Sequence, residues 1–161
     1  MLGRYSTLMI IGLLIIFLSH SVFAIEIEKG TQFRTTGTNT TFIMGKNFTF
    51  DRIEVHSTYL RLDNSTISVY SINPVNITIY EYNLSKPIGE ILINLTASTT
   101  GGNVNFTICN LTANSYYIIK KDSSYFLTKQ ANSSGCIFFS NSICNEHEFT
   151  IEKARPNDYP C

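Results

Sequence analysis

The stretch NVNFTICNLTANSYYIIKK, Asn103–Lys121, decides the fold. Val104, Phe106 and Ile108 alternate with Asn105, Thr107 and Cys109, the period-two pattern of a strand with one dry and one wet face. Leu111 to Tyr117 then turns a corner into a second strand, Tyr116–Lys121. The chain on either side repeats the cycle of short strand, polar turn, short strand. Downstream come Tyr125–Lys129, Cys136–Phe139 and His147–Glu152, separated by Asp122-Ser123, Asn132–Gly135 and Ser140–Glu146. The last two of these strands read as a hairpin.

Upstream, Glu90–Ala97 alternates with Ile91, Ile93, Leu95 and Ala97 inward and Leu92, Asn94 and Thr96 outward. Before it lie Thr41–Met44, Asn47–Val55, Thr58–Leu62, Thr66–Tyr70 and Val75–Tyr82, with turn chemistry at Gly45-Lys46, Asp63–Ser65 and Asn73-Pro74. Phe48, Phe50, Leu60, Leu62, Ile67, Val69, Val75, Ile77 and Ile79 form the expected inward set. Ile25–Glu28 reads as a first strand, and Gly30–Thr41, with little to bury, as a loop. No window after the leader holds an i, i+3, i+4, i+7 apolar pattern. Many short strands at regular spacing predict an all-β, two-sheet antiparallel β-sandwich. Asn83–Pro87 is a candidate seam, with 75–152 as its better-defined part.

The chain begins with Arg4, an apolar run Leu8–Leu18, and small residues at Val22 and Ala24. This predicts a helical, cleavable signal peptide over 1–24 and a sandwich over 25–161. The apolar run is about half the ~20 residues a spanning helix needs. Four cysteines, Cys109, Cys136, Cys144 and Cys161, read as two disulfides of open connectivity in a secreted or cell-surface chain. Cys144 and His147 have metal-site spacing, but no C-x-x-C pair accompanies them. No cofactor is expected. Without Arg4 the chain has eleven basic and twelve acidic residues. Nothing there builds the field that nucleic acid or anionic lipid requires.

Nine Asn-x-Ser/Thr sequons occur. Asn47, Asn76, Asn94 and Asn105 fit a strand whose wet positions hold Asn and Thr two residues apart. Asn39, Asn64, Asn83, Asn110 and Asn132 lie in turns and are the better glycosylation candidates. Only His56 and His147 follow the leader, and no hydrolase, metalloprotease, phosphate-loop or EF-hand motif occurs. The glutamate pairs Glu26/Glu28 and Glu146/Glu148 read as solvated strand faces. The chain therefore reads as non-enzymatic.

Leu111 followed by Tyr117 after an alternating strand resembles the tyrosine corner of fibronectin type III and immunoglobulin-like modules. Over Val104–Ile151 the chain is similar to Ig-like repeats of archaeal surface and secreted proteins. The matching features are that corner, the Tyr117–Asp122 strand and turn, Asn132–Gly135 before a strand, and His147, Phe149 and Ile151 at the close. Such repeats more often carry an aromatic at Cys144. The resemblance implies a sandwich whose corner tyrosine bonds back to the backbone. Three functions follow as expectations: a secreted binding or structural module for an extracellular protein or glycan; a subunit that self-associates by donating Ile25–Lys29 to a neighbour's sheet edge; or a carbohydrate-binding module using outward-facing Tyr80, Tyr82 and Tyr116.

Overall fold

A computed structural model describes residues 24–156 and 158, which leaves the leader and Cys161 outside the described residues. Fourteen strands follow in order: β1 Ile25–Ile27, β2 Gln32–Thr35, β3 Thr40–Met44, β4 Phe48–Phe50, β5 Ile53–Val55, β6 Leu60–Leu62, β7 Ser65–Ser71, β8 Val75–Tyr82, β9 Ile91–Thr99, β10 Gly102–Cys109, β11 Tyr116–Lys121, β12 Ser124–Gln130, β13 Ile137–Ile143 and β14 His147–Lys153. The described residues contain no helix. They form a five-stranded sheet, β13-β10-β7-β6-β5, packed on a seven-stranded sheet, β12-β11-β14-β9-β8-β3-β2. β1 and β4 form a separate two-stranded ribbon, whose Phe50 is buried in the common core.

The core is the set of inward side chains from both sheets. Phe42, Leu60, Ile67, Ile77, Ile93, Val104, Ile119 and Ile151 are all fully buried. At one side the layers are joined by aromatic rings. Phe106 stacks on Phe139 within one sheet at 4.7 Å, and both meet Phe149 of the other at 5.1 and 6.0 Å. Burying a ring of this kind stabilises by about 1.5–3 kcal/mol. Because period two puts alternate residues on opposite faces, the strands that read as alternating in sequence are those that fill this core.

Several expectations are corrected. Gln32–Thr35 is a strand, not a loop. It pairs with β3, and its one buried residue, Thr35, joins a buried hydroxyl network. In it Thr35 Oγ1 and Thr38 Oγ1 are 2.6 Å apart, and Thr40 Oγ1 donates to Val69 O. The Asn47–Val55 run is broken into β4 and β5, because Asp63 Oδ1 accepts from both Asp51 N and Arg52 N at 2.7 and 3.1 Å and bends the chain between them.

The sandwich is not wholly antiparallel: β3 runs parallel to β8. Residues 140–143, expected in a loop, extend β13. Nor do β13 and β14 form a hairpin. The link 144–146 crosses between layers, placing β13 beside β10 and β14 between β11 and β9.

This crossing settles which cysteine faces Cys136. The β10–β13 register pairs Ile108 with Ile137, so Cys109 stands opposite Cys136 at the ladder's end, and the two form a disulfide. Cys144 is an exposed free thiol. Closing a loop with a sequence separation of 27 restricts the unfolded chain by about 3.5 kcal/mol. Replacing both Cys109 and Cys136 with Ser is expected to lower stability by about 2–4 kcal/mol in urea denaturation. An unchanged midpoint would overturn the pairing.

Candidate functional site

Of the three β-bulges in the seven-stranded sheet, two reset which side chains of β8 and β9 reach its surface. In the β8–β9 ladder the register slips between Ile79 and Glu81, leaving Tyr80 in the bulge. An extra residue reverses parity beyond it. Tyr82, expected outward, is therefore buried, with 8% of its surface exposed. The second slip, between Ile151 and Glu152 of β14, leaves Leu92 of β9 without a partner. Leu92 is buried and Ile91 exposed, the reverse of simple alternation.

The three tyrosines do not make one platform. Tyr80 is exposed, and a Cβ on Gly45 would sit 2.6 Å from its ring, so the ring covers that glycine. Tyr116 is half-buried on β11. Two strands, β14 and β9, separate β11 from β8, and the register also offsets Tyr80 and Tyr116 along the strands, so more than roughly 14 Å parts them.

The turn of Tyr82 toward the interior helps to form a cleft of about 570 Å³ at one end of the sandwich. It is walled by the segments 46–51, 62–65 and 81–85 and by Asn110. Phe48 stacks on Phe50 along one wall at 5.4 Å. Lys46 bonds Glu81 at 2.9 Å, and Lys86 reaches the same carboxylate at 3.4 Å. Burial raises the Glu81 carboxyl, but the two lysines outweigh it and hold it below its usual range. The Tyr82 hydroxyl is enclosed beside Ser65, and burial pushes its pKa well above the ordinary tyrosine value.

The turn asparagines Asn39, Asn64, Asn83, Asn110 and Asn132 are all exposed. Asn39 and Asn110 adopt positive φ of 55° and 71°, a conformation Asn tolerates in turns. Asn94 differs: it is half-buried and its Nδ2 donates to Glu148 Oε1 at 2.8 Å.

At the corner, Tyr117 is buried and its hydroxyl accepts a hydrogen bond from Thr112 N at 2.9 Å, with Leu111 buried beside it. Leu111 N donates to Gly135 O at 2.9 Å. A Cβ at Gly135 would lie 2.3 Å from Leu111 O, so only glycine fits there. His56 stacks on Tyr59 at 4.1 Å and bonds Glu54 at 3.2 Å. His147 Nδ1 lies 2.7 Å from Asp122 Oδ2, while Glu148 N donates to Asp122 Oδ1 at 3.0 Å.

No family model matches the chain, and neither a curated protein nor a solved structure matches it. The site is thus read from its own chemistry. No residue pattern marks the cleft, because its walls come from segments far apart in the chain and its floor depends on a bulge.

Two outcomes follow. Tyr117→Phe removes the acceptor for Thr112 N and is expected to cost about 1 kcal/mol in chemical denaturation, with no change in the strand spectrum. The second concerns Asp122. Burial raises its carboxyl, but the Glu148 N–H and the His147 ring prevail and leave it below the usual Asp value. A carboxyl with a depressed folded pKa contributes its stability above the unfolded value, about 3.9, and loses it as pH falls through the folded one. Urea midpoints measured down that range should fall less steeply for Asp122→Asn than for the natural protein.

Proposed function

We propose that the chain is an exported or cell-surface, non-catalytic β-sandwich of the Ig-like kind, glycosylated, with a binding or structural role toward an extracellular protein or glycan. The observation that carries this reading is the Cys109–Cys136 disulfide, since cystines persist in oxidising compartments. The leader over 1–24 and the exposed turn asparagines agree with it.

What supports the Ig-like part is spatial strand order. Ig-type sandwiches order B, E and D in one sheet and C, F and G in the other. Taking β10, β11 and β12 as E, F and G, the corner tyrosine falls on F. Then β13 occupies the place of B beside E, β7 that of D, and β14 that of C beside F. This chain departs from the pattern in sequence, because its B- and C-position strands come after G. Its cystine also lies within one sheet rather than between the two. What supports a non-enzymatic role is how the charged groups are used: Glu81 holds two lysines, Asp63 two backbone N–H groups, and Asp122 a histidine and a backbone N–H.

A strand-exchanging structural subunit is the second reading. One observation favours it: among the described residues β1 pairs only with β4, in a ribbon outside the ladders of both sheets.

Protein recovered from the exterior of its native host is expected to begin at Ile25 and to weigh more than the bare chain of 137 residues (161 minus 24). Light scattering on the same material is expected to report a monomer that deletion of Ile25–Gly30 leaves unchanged. An intact mass equal to the uncleaved, unmodified chain overturns the first reading. Assemblies that vanish on deletion select the second.

A further inference from the structure

The outer faces of the two sheets differ in chemistry. The seven-stranded sheet carries charge there, with Lys120 bonded to Glu152 at 2.8 Å and Lys46 to Glu81 at 2.9 Å. In the five-stranded sheet β7, β10 and β13 read STISVYS, GNVNFTIC and IFFSNSI, without one charged residue among them. The alternation that buries Val69, Phe106 and Phe139 sends their neighbours outward. Register then lays two rows across the three strands: Tyr70, Asn105 and Ser140 in one, Ser68, Thr107 and Phe138 in the next. Neither ladder slips, in contrast to the larger sheet.

Tyr70 and Phe138 stand at opposite corners of this grid, 50% and 54% exposed. Two strand spacings and two residues part them, roughly 12 Å. Between them Asn105, Thr107 and Ser140 reach solvent, and among the described residues their side chains take part in no hydrogen bond. A shallow depression of about 330 Å³ lies over Asn105, Thr107, Phe138 and Ser140, bordered by Leu127 and Lys129 of β12.

The composition of the face decides what it can hold. A cation finds no carboxylate on these strands, and an anion meets one charge, Lys129, at the border. An apolar ligand would strip water from amides and hydroxyls without replacing their hydrogen bonds. A folded protein partner needs about 800 Å² on each side. Three strands by four rows of residues cover roughly 14 Å by 20 Å, about a third of that. A chain of neutral sugars is narrow enough, its C–H faces stack on rings, and its hydroxyls donate and accept as the amide and hydroxyls beneath them do.

We propose that the outer face of β7, β10 and β13 is a platform for an extended neutral glycan. Tyr70 and Phe138 each stack on one sugar unit, while Asn105, Thr107 and Ser140 bond the hydroxyls between them. The proposal rests on the reading of the chain as an exterior binding protein and names the ligand class. It places sugar recognition on the five-stranded sheet, away from Tyr80, Tyr82 and Tyr116.

The test uses the full chain isolated from its native host. Soluble hexasaccharides of β-1,4-linked glucose, β-1,4-linked N-acetylglucosamine and α-1,6-linked mannose are the probes, read by saturation-transfer NMR and titration of amide shifts. The expected result is submillimolar binding of at least one of them. Tyr70→Ala and Phe138→Ala should each weaken that binding about tenfold, and the two together should abolish it. Tyr125→Ala, at an exposed ring on β12, should leave it intact. Tyr70→Leu and Phe138→Leu, which keep bulk and lose the flat ring, repeat the result where a truncation shifts the melting temperature. Binding of none of the three hexasaccharides overturns the proposal, as does binding that the substitutions at Tyr70 and Phe138 leave unchanged. A sugar found attached at Asn105 would cover the platform and also overturns it. So does a captured protein whose binding the same two substitutions abolish. The amino-terminal residue and intact mass of the same preparation report export and glycosylation, so a failed platform and a failed exterior protein give different results.

Discussion

Contact between the two apolar faces, concentrated where Phe106 and Phe139 of one sheet meet Phe149 of the other, is the constraint on which the remaining structure depends. Neither sheet has a dry face to spare without its partner. The short strands β4, β5 and β6, three residues each, could not persist alone. Once the faces meet, the polar edges and turns are placed by what the layers require. Asp63 turns the chain between β4 and β5, and Gly135 lets the 132–136 turn close against Leu111. Tyr117 ties the corner at Thr112. Each local device is small in energy; each is useful because the core has already fixed where the strands run.

Much of this was legible in the residues. Val75, Ile77, Ile79, Val104, Phe106 and Ile108 alternate without interruption, and all of them are buried. Tyr82 and Leu92 were misread because a bulge adds one residue to a ladder without marking the letters that do it. β2 escaped because its buried partners are threonines, whose hydroxyls satisfy one another instead of announcing a core. The β13–β14 hairpin was expected from nearness in sequence, yet the three residues between them pass from one layer to the other. The cleft could not be read at all. It exists only after four connections have been brought to the same end.

The same geometry gives the two ends of the cystine different surroundings from the free thiol. Cys109 and Cys136 terminate neighbouring strands of one sheet, where the register alone brings them together. Cys144 stands in the crossing between sheets, exposed and outside any ladder. Two cysteines eight positions apart thus differ because one follows the pairing of β13 and the other the departure from it.

The position of β14 has a consequence for how the protein is made. The final strand is not an edge but an interior member, inserted between β9 and β11 and hydrogen-bonded on both sides. While the chain emerges from its amino end, the larger sheet remains two fragments, each with a raw border, until residues 147–153 arrive. Vectorial synthesis therefore cannot lock the sandwich piece by piece. The polypeptide must wait, incompletely zipped, and then join its halves in one late, long-range step, the kind of topology that folds slowly and favours guarded handling meanwhile.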